Sequence, residues 1–182
     1  MLQTEIITRH VFVSGHVQET GTIAAVTGGG KAQTISDQEF FSDLEKINPS
    51  YPEALRSFLD KARAIGCQPE LRRGYSLYID EPNGSRLNLG TIDKQGNVSV
   101  WGVGSRDQNY AEPVGCRYME RIVGFLPGTD MRNEAPNPSA WHIRHKGRST
   151  IPLSVMLTHE DAWLAAIKEV ADRLQEIDAQ LS

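Results

Sequence analysis

The stretch from residue 68 to residue 104 constrains the fold most strongly. It consists of short runs, "PELRRG", "YSLYID", "SRLNLGTID" and "NVSVWGVG", joined by the turns "EPNG" and "DKQG". In "YSLYID", Tyr75, Leu77 and Ile79 alternate with the other positions, which is the period of a strand that buries one face. Since runs joined by such short turns are antiparallel neighbours, the sequence predicts an antiparallel meander whose apolar face is covered by helices.

Two helices are predicted before the meander. In "ISDQEF", Ser36 and Glu39 have the spacing of a capping box, so a helix should begin there and end before the Asn-Pro pair. In "SYPEALRSFLDKARAIG", Ser50 and Glu53 repeat that spacing, and Gly66 is placed to end the second helix. Residues 1–34 are predicted to form one or two strands and a Gly/Thr-rich connection that precede this region.

The chain after the meander alternates between helical and extended patterns. A helix is predicted from about Cys116 to Phe125, followed by a proline-rich loop over residues 126–140. Residues 141–153 are predicted to form a strand, a turn at Lys146 and Gly147, and a second strand. Thr158 is predicted to cap a long C-terminal helix. The predicted fold is therefore a single α+β domain over residues 35–182, with an antiparallel meander sheet of about four to six strands, helices packed on it and a long C-terminal helix.

Composition limits the classes of protein to which the chain can belong. Its 182 residues carry a formal net charge of −4, which argues against polyanion binding by the whole surface but leaves room for a local basic patch. No apolar run is long enough to span a membrane, and the N-terminus has no secretory signal pattern. Two cysteines are too few for a disulfide scaffold. The expectation is a reduced, cytoplasmic protein that does not bind membranes.

The most basic short stretch is "WHIRHKGRSTIPL", residues 141–153. A basic two-stranded element can follow a phosphate backbone, and a tryptophan beside it can stack a base. The alternative is a solvent-facing hairpin whose tryptophan packs in the core. Three further arginines on the meander would extend the patch if they shared its face. The candidate nucleic-acid-binding residues are Trp141, Arg144, Lys146, Arg148, Arg72, Arg73 and Arg86.

The C-terminal helix carries a second candidate surface. Its apolar residues are spaced four, three, four, three and four apart, which is typical of a heptad seam. This seam could join two copies of the chain or bind another protein, and acidic residues around it favour a basic partner over self-association. The alternative is packing on the chain's own sheet. The candidate interface residues are Trp163, Ile167, Val170, Leu174, Ile177 and Leu181.

The sequence contains few residue patterns that indicate an enzyme. His142 and His145 are three apart on a predicted strand, so they should face opposite sides and not share a metal ion. Asp93 and Lys94 are adjacent, whereas a metal-dependent nuclease needs carboxylates and a lysine that converge on one site. The sequence "TGGGK", residues 27–31, lacks the glycine spacing of a phosphate-binding loop. We therefore expect a non-enzymatic binding domain without a metal or cofactor. The first alternative is a protein-interaction module, a homodimer or an acidic immunity-type partner-binding protein, that uses the C-terminal helix, and the second is a metal-dependent nuclease-like enzyme.

A resemblance points toward nucleic acid. The segment "RLNLGTIDKQGNV" and the later "HEDAWLAAIKEV" resemble segments of an uncharacterised bacterial domain family that is often found beside endonuclease-like or other DNA-associated domains. The resemblance covers roughly residues 36–175 and depends mainly on a glycine turn between two strands. It implies an accessory domain in a nucleic-acid-linked setting and assigns no catalytic residue.

Overall fold

The computed structural model describes residues 35–103, 113–133 and 141–181, except for the side chain of Leu181. The strand and connection expected in residues 1–34 lie outside these described residues. The helices are α1 (Asp37–Ile47), α2 (Tyr51–Ala64), α3 (Val114–Phe125), α4 (Leu153–Thr158) and α5 (Glu160–Leu181). The strands are β1 (Gln68–Leu71), β2 (Gly74–Asp80), β3 (Arg86–Asp93), β4 (Asn97–Ser99), β5 (Thr129–Asn133), β6 (Trp141–His145) and β7 (Ile151–Pro152).

The described strands form two sheets, and every pairing in them is antiparallel. The larger sheet has the order β1-β2-β3-β4-β7, and β5 pairs with β6 in a two-stranded sheet. The first four strands are neighbours both in sequence and in space, as the short turns predict. The α+β class, the antiparallel meander and the long C-terminal helix are confirmed.

Both helices begin at the predicted positions, but only the first has the predicted capping hydrogen bond. The Ser36 hydroxyl accepts a hydrogen bond from the Glu39 backbone N–H at 3.1 Å, which satisfies one of the free donors at the start of α1. Ser50 makes no such bond. Its hydroxyl instead donates to the side-chain oxygen of Asn48 at 2.9 Å, so Ser50 is the N-cap residue of α2 but the predicted hydrogen bond from its side chain is wrong. At the end of α2, Gly66 has a φ of +90°, the left-handed conformation that glycine adopts readily.

The structure corrects two expectations in the second half of the chain. Residues 129–133, predicted as loop, form β5 because they pair along their whole length with β6. The C-terminal helical region begins earlier than predicted, at Leu153, and is divided at His159 into α4 and α5. Thr158 lies inside this region, where its hydroxyl donates to the Ser154 carbonyl oxygen at 2.8 Å, so it is not a cap.

The main core lies between the helices and the inward positions of the larger sheet. Its centre contains Trp163 of α5, which is fully buried and stacks on Phe58 of α2 with ring centroids 4.1 Å apart. The Trp163 indole N–H donates a hydrogen bond to the buried hydroxyl oxygen of Tyr118 on α3, at 3.0 Å. Three helices therefore meet at one aromatic cluster. Among the described residues, no helix is both long enough and apolar enough to cross a bilayer.

Candidate nucleic-acid interface

The basic stretch is part of a three-stranded ribbon, which we define as β5, β6 and residues 100–102. On one side β6 pairs with β5, and on the other it meets the chain that follows β4. The Ile143 N–H donates to the Val100 carbonyl at 3.1 Å, and the Gly102 N–H donates to the Trp141 carbonyl at 2.8 Å. These bonds surround the pair Trp101 and His142, so the two side chains lie on the same face of the ribbon.

The inward face of the ribbon belongs to the core. Ile143 is buried, and Trp141 and Met131 pack against the same hydrophobic cluster. Trp141 has the same parity as Ile143 on β6, which directs its ring toward the protein interior. The Trp141 ring therefore packs against the core, as the alternative to base stacking predicted.

The outward face carries Trp101, His142 and Arg144, together with Asp130 and Arg132 of β5. The register aligns Arg132 with His142 and Asp130 with Arg144. The Arg132 guanidinium lies 2.6 Å from the Asp130 carboxylate. Arg144 donates to the Gly147 carbonyl oxygen at 2.7 Å, which holds its guanidinium near the turn. An aromatic ring and two guanidinium groups thus share one surface.

The tight turn at Lys146 and Gly147 separates the three predicted phosphate contacts. Both residues have positive φ, 48° and 80°, and His145 and Arg148 exchange backbone hydrogen bonds of 2.8 and 3.0 Å across them. Arg148 therefore lies on the side of the ribbon that His145 occupies, whereas Arg144 lies on the outward face. Lys146 is exposed at the turn itself. Beyond this one pair the predicted hairpin does not continue, because β7 pairs with β4.

Trp101 is exposed although it is a large aromatic residue. Its side chain is 57% accessible, and one face of the indole stacks on the His142 imidazole with centroids 4.6 Å apart and planes 13° from parallel. His142 itself is 2% exposed. Since His142 occupies one face of the indole, the accessible area of Trp101 lies on the rest of the ring. The ring is thus oriented by a neighbour while remaining open to solvent.

A shallow concavity of about 390 Å³ lies at the turn end of the outward face. Arg132 and Arg144 line it beside Asp130, and Gly128 and Gly147 form parts of its wall. Lys146 lies against the same place, since its backbone N–H donates to the Gly128 carbonyl at 2.8 Å. Arginine suits a phosphate ligand because its planar guanidinium can donate two parallel hydrogen bonds. The two guanidinium groups can bind an anion at this concavity, whereas the Asp130 carboxylate repels an anion there.

His145 anchors the inward side of the same turn. It is 5% exposed, and its Nδ1 lies 2.8 Å from the Thr129 hydroxyl oxygen on β5. Burial lowers the pKa of His145, and the positive charge of Lys146 lowers it further. A lowered pKa favours the neutral imidazole, so His145 acts here as a hydrogen-bonding link between the strands. His142 lies on the opposite face, as predicted.

The three supporting arginines form a separate group on the first strands. The guanidinium groups of Arg72 and Arg86 lie 2.9 and 2.7 Å from the two carboxylate oxygens of Glu70. Both also lie over the ring of Tyr78, at 5.9 and 4.3 Å from its centroid. Arg73 is exposed in the turn between β1 and β2. The ion pairs and ring contacts of Arg72 and Arg86 are thus with Glu70 on β1 and Tyr78 on β2.

The apolar seam of α5 is an internal contact. Trp163, Ile167, Val170 and Leu174 are all buried in the core of this chain, and Ile177 is partly buried against it. The side chain of Leu181 lies outside the described residues. The four buried side chains cannot meet a partner while the domain keeps this fold. What α5 presents to solvent is a charged face that includes Asp161, Asp172, Glu176 and Asp178.

A groove between α3 and α5 has a volume of about 590 Å³. Its floor is apolar and its rim is charged, but the charges on the rim pair with one another. Lys168 lies 2.6 Å from Asp172, and Arg121 lies 3.0 Å from Glu169. The groove is lined by four cationic and three acidic side chains, an excess of one positive charge, whereas the turn end of the ribbon has an excess of two, so we place the candidate site on the ribbon.

The residues considered for metal chemistry serve structural roles where they are described. One Asp93 carboxylate oxygen accepts hydrogen bonds from the backbone N–H groups of Gln95 and Asn97, at 2.9 and 2.8 Å, which is turn chemistry. Lys94 pairs with Asp43 on α1 at 3.1 Å. Within residues 35–103, 113–133 and 141–181, no group of three or more histidine, cysteine, aspartate or glutamate side chains is arranged to hold a metal ion.

Two site residues, Trp101 and Arg132, were missed from the sequence. Trp101 could have been found, because Val98 and Val100 in "NVSVWGVG" have the parity of a buried face and Trp101 has the other parity. Arg132 has no comparable signal, since β5 lacks an apolar alternation. No family model, curated protein or solved structure matches the chain. The resemblance of residues 36–175 to a DNA-associated domain family therefore stays a prediction.

Proposed function

We propose that this chain is a non-enzymatic binding domain that contacts the phosphate backbone of nucleic acid through the turn end of the ribbon. The observation that carries the proposal is the meeting of Arg132 from β5 and Arg144 from β6 at one concavity on the outward face. Lys146 adds a third positive charge at the adjacent turn. Hydrogen bonds and charge from such groups are the usual means of contact with phosphate.

The charge balance of the site predicts a modest affinity. Three cations and the Asp130 carboxylate give the turn end a local excess of two positive charges, on a chain whose formal net charge is −4. Non-specific electrostatic binding has dissociation constants of roughly 1–100 µM at physiological salt. We expect this range for the wild-type domain, with an affinity that rises steeply as salt is lowered.

The test is fluorescence anisotropy of labelled single- and double-stranded DNA and RNA, at low and at physiological salt. The double variant Arg144→Ala/Lys146→Ala should weaken binding and reduce the slope of log K against log salt by about 0.7–0.9 for each lost phosphate contact. The matched control is Arg72→Ala/Arg73→Ala, which removes the same charge from the turn between β1 and β2. The control should retain most of the wild-type affinity.

Two single variants sharpen the test. Asp130→Asn removes the carboxylate that opposes an anion, so it should tighten binding. Arg148→Ala should weaken binding less than Arg144→Ala, because Arg148 lies on the other side of the ribbon. Absence of binding at low salt would contradict the proposal, as would equal effects of the ribbon pair and the control pair.

A further inference from the structure

We infer that the outward face of the ribbon selects single-stranded nucleic acid by stacking an unpaired base on Trp101. This inference rests on the proposed function, because it assigns to the same surface the class of nucleic acid that it binds. It is carried by a different observation, the exposed indole that lies on the same face as Arg132 and Arg144.

The strand register places Trp101 and the two arginines at separations comparable to the size of a nucleotide. Trp101, His142 and Arg132 form one row across the three strands, and neighbouring strands lie about 4.8 Å apart, so the backbones of Trp101 and Arg132 are about 10 Å apart. Arg144 is two residues from His142 along β6, or about 7 Å. Long arginine side chains can therefore reach phosphates that flank a base stacked on Trp101.

The Trp101–His142 stack prepares the ring for this role. Because His142 supports one face of the indole, the ring is already held in place before a ligand arrives. A base in a duplex is paired and stacked on both sides, and therefore cannot lie on a protein ring unless it is displaced. Stacking on aromatic side chains is a recurrent mode of single-strand recognition, and it tolerates sequence because every base has a π face.

A protein partner fits this surface less well. Protein interfaces generally have an apolar centre formed by several residues. Among the described residues, Trp101 and Ile47 are the large hydrophobic side chains that are exposed, and Ile47 lies at the end of α1 and not on the ribbon. Trp101 instead stacks on His142 and shares the outward face of the ribbon with Arg132, Arg144 and Asp130. A single exposed aromatic ring beside cationic side chains suits nucleic acid, which has both negative charge and aromatic bases.

The experiment compares a labelled oligothymidylate with a labelled duplex of equal length, using the whole chain at low salt. Trp101→Ala should weaken oligothymidylate binding about 5- to 150-fold, the range that corresponds to the loss of one stacked base. It should change duplex binding less than twofold. Trp101→Phe, which keeps a ring, should restore part of the lost affinity, and thermal unfolding of both variants checks that the domain still folds.

Intrinsic fluorescence provides a second readout. Oligothymidylate should quench the wild-type protein through Trp101, whereas Trp101→Phe should show little quenching because Trp163 is buried and Trp141 packs against the core. Equal binding of both nucleic acids with no effect of Trp101→Ala would overturn the inference and leave the proposed function standing. Equal weakening of both would overturn it as well. Absence of binding to either nucleic acid would instead remove the proposed function itself.

Discussion

Replacing Tyr118 with phenylalanine should destabilise the domain, because it removes the acceptor of a fully buried hydrogen bond. Tyr118 is 1% exposed and Trp163 is 0% exposed, so no solvent can replace the lost oxygen. Leaving a buried donor without a partner costs about 1–3 kcal/mol in the free energy of unfolding. For a domain of this size that corresponds to a fall in Tm of roughly 2–12 °C.

Urea unfolding followed by circular dichroism measures this cost. The midpoint should move to lower urea at unchanged m-value, which marks a loss of stability without a change in the surface exposed on unfolding. The matched control is Tyr51→Phe, because the Tyr51 hydroxyl makes no hydrogen bond to a described residue, and its effect should stay within about 0.5 kcal/mol. In a Trp163→Phe background the donor is already absent, so Tyr118→Phe should cost less there. A Tyr118→Phe midpoint equal to that of the wild type would refute the reasoning.

Three further predictions follow from the fold. Ser36→Ala should lower the free energy of unfolding by about 0.5–2 kcal/mol because it removes a helix cap, whereas Ser50→Ala should lower it by less than about 0.5 kcal/mol. Equal urea midpoints for the two variants would contradict this difference. Gly74→Ala should destabilise by about 1–3 kcal/mol because its Cβ would overlap the facing strand, whereas Gly124→Ala, with open space on α3, should stabilise by about 0.4–1 kcal/mol. Because the pKa of His145 is lowered in the folded protein, the unfolded chain binds the proton more tightly, and the free energy of unfolding should fall as pH drops below about 6.5. A His145→Asn variant should show a smaller fall. An identical pH profile for the variant would contradict a buried, neutral His145.

The meander and the first two helices were predictable because their signals are local. Alternating residues and short turns specify neighbouring antiparallel strands, and a capping box specifies the start of α1. The strand β5 was missed because Thr129–Asn133 contains a single apolar residue, Met131, and forms a strand only through its pairing with β6. Such pairing depends on tertiary structure rather than on the local sequence.

The candidate site was predictable only in part for the same reason. The basic stretch and Arg144 stand out in the sequence, but the contact between β6 and residues 100–102 joins segments that are about forty residues apart. That contact decides which tryptophan faces solvent. In the seam of α5 the local pattern was clear, but the surface against which it packs was not. Its spacing fits both a partner helix and the chain's own core, and the surrounding elements bury it in the core.

The salt dependence of oligonucleotide binding by the wild type and by Arg144→Ala/Lys146→Ala shows most directly whether the turn end of the ribbon contacts phosphate. The wild type should bind more tightly as salt is lowered, and the variant should lose affinity and have a shallower salt slope. Arg72→Ala/Arg73→Ala should follow the wild type. Identical slopes for the wild type and the ribbon variant, or no binding by the wild type at low salt, would contradict the assignment of the ribbon as a nucleic-acid-binding surface.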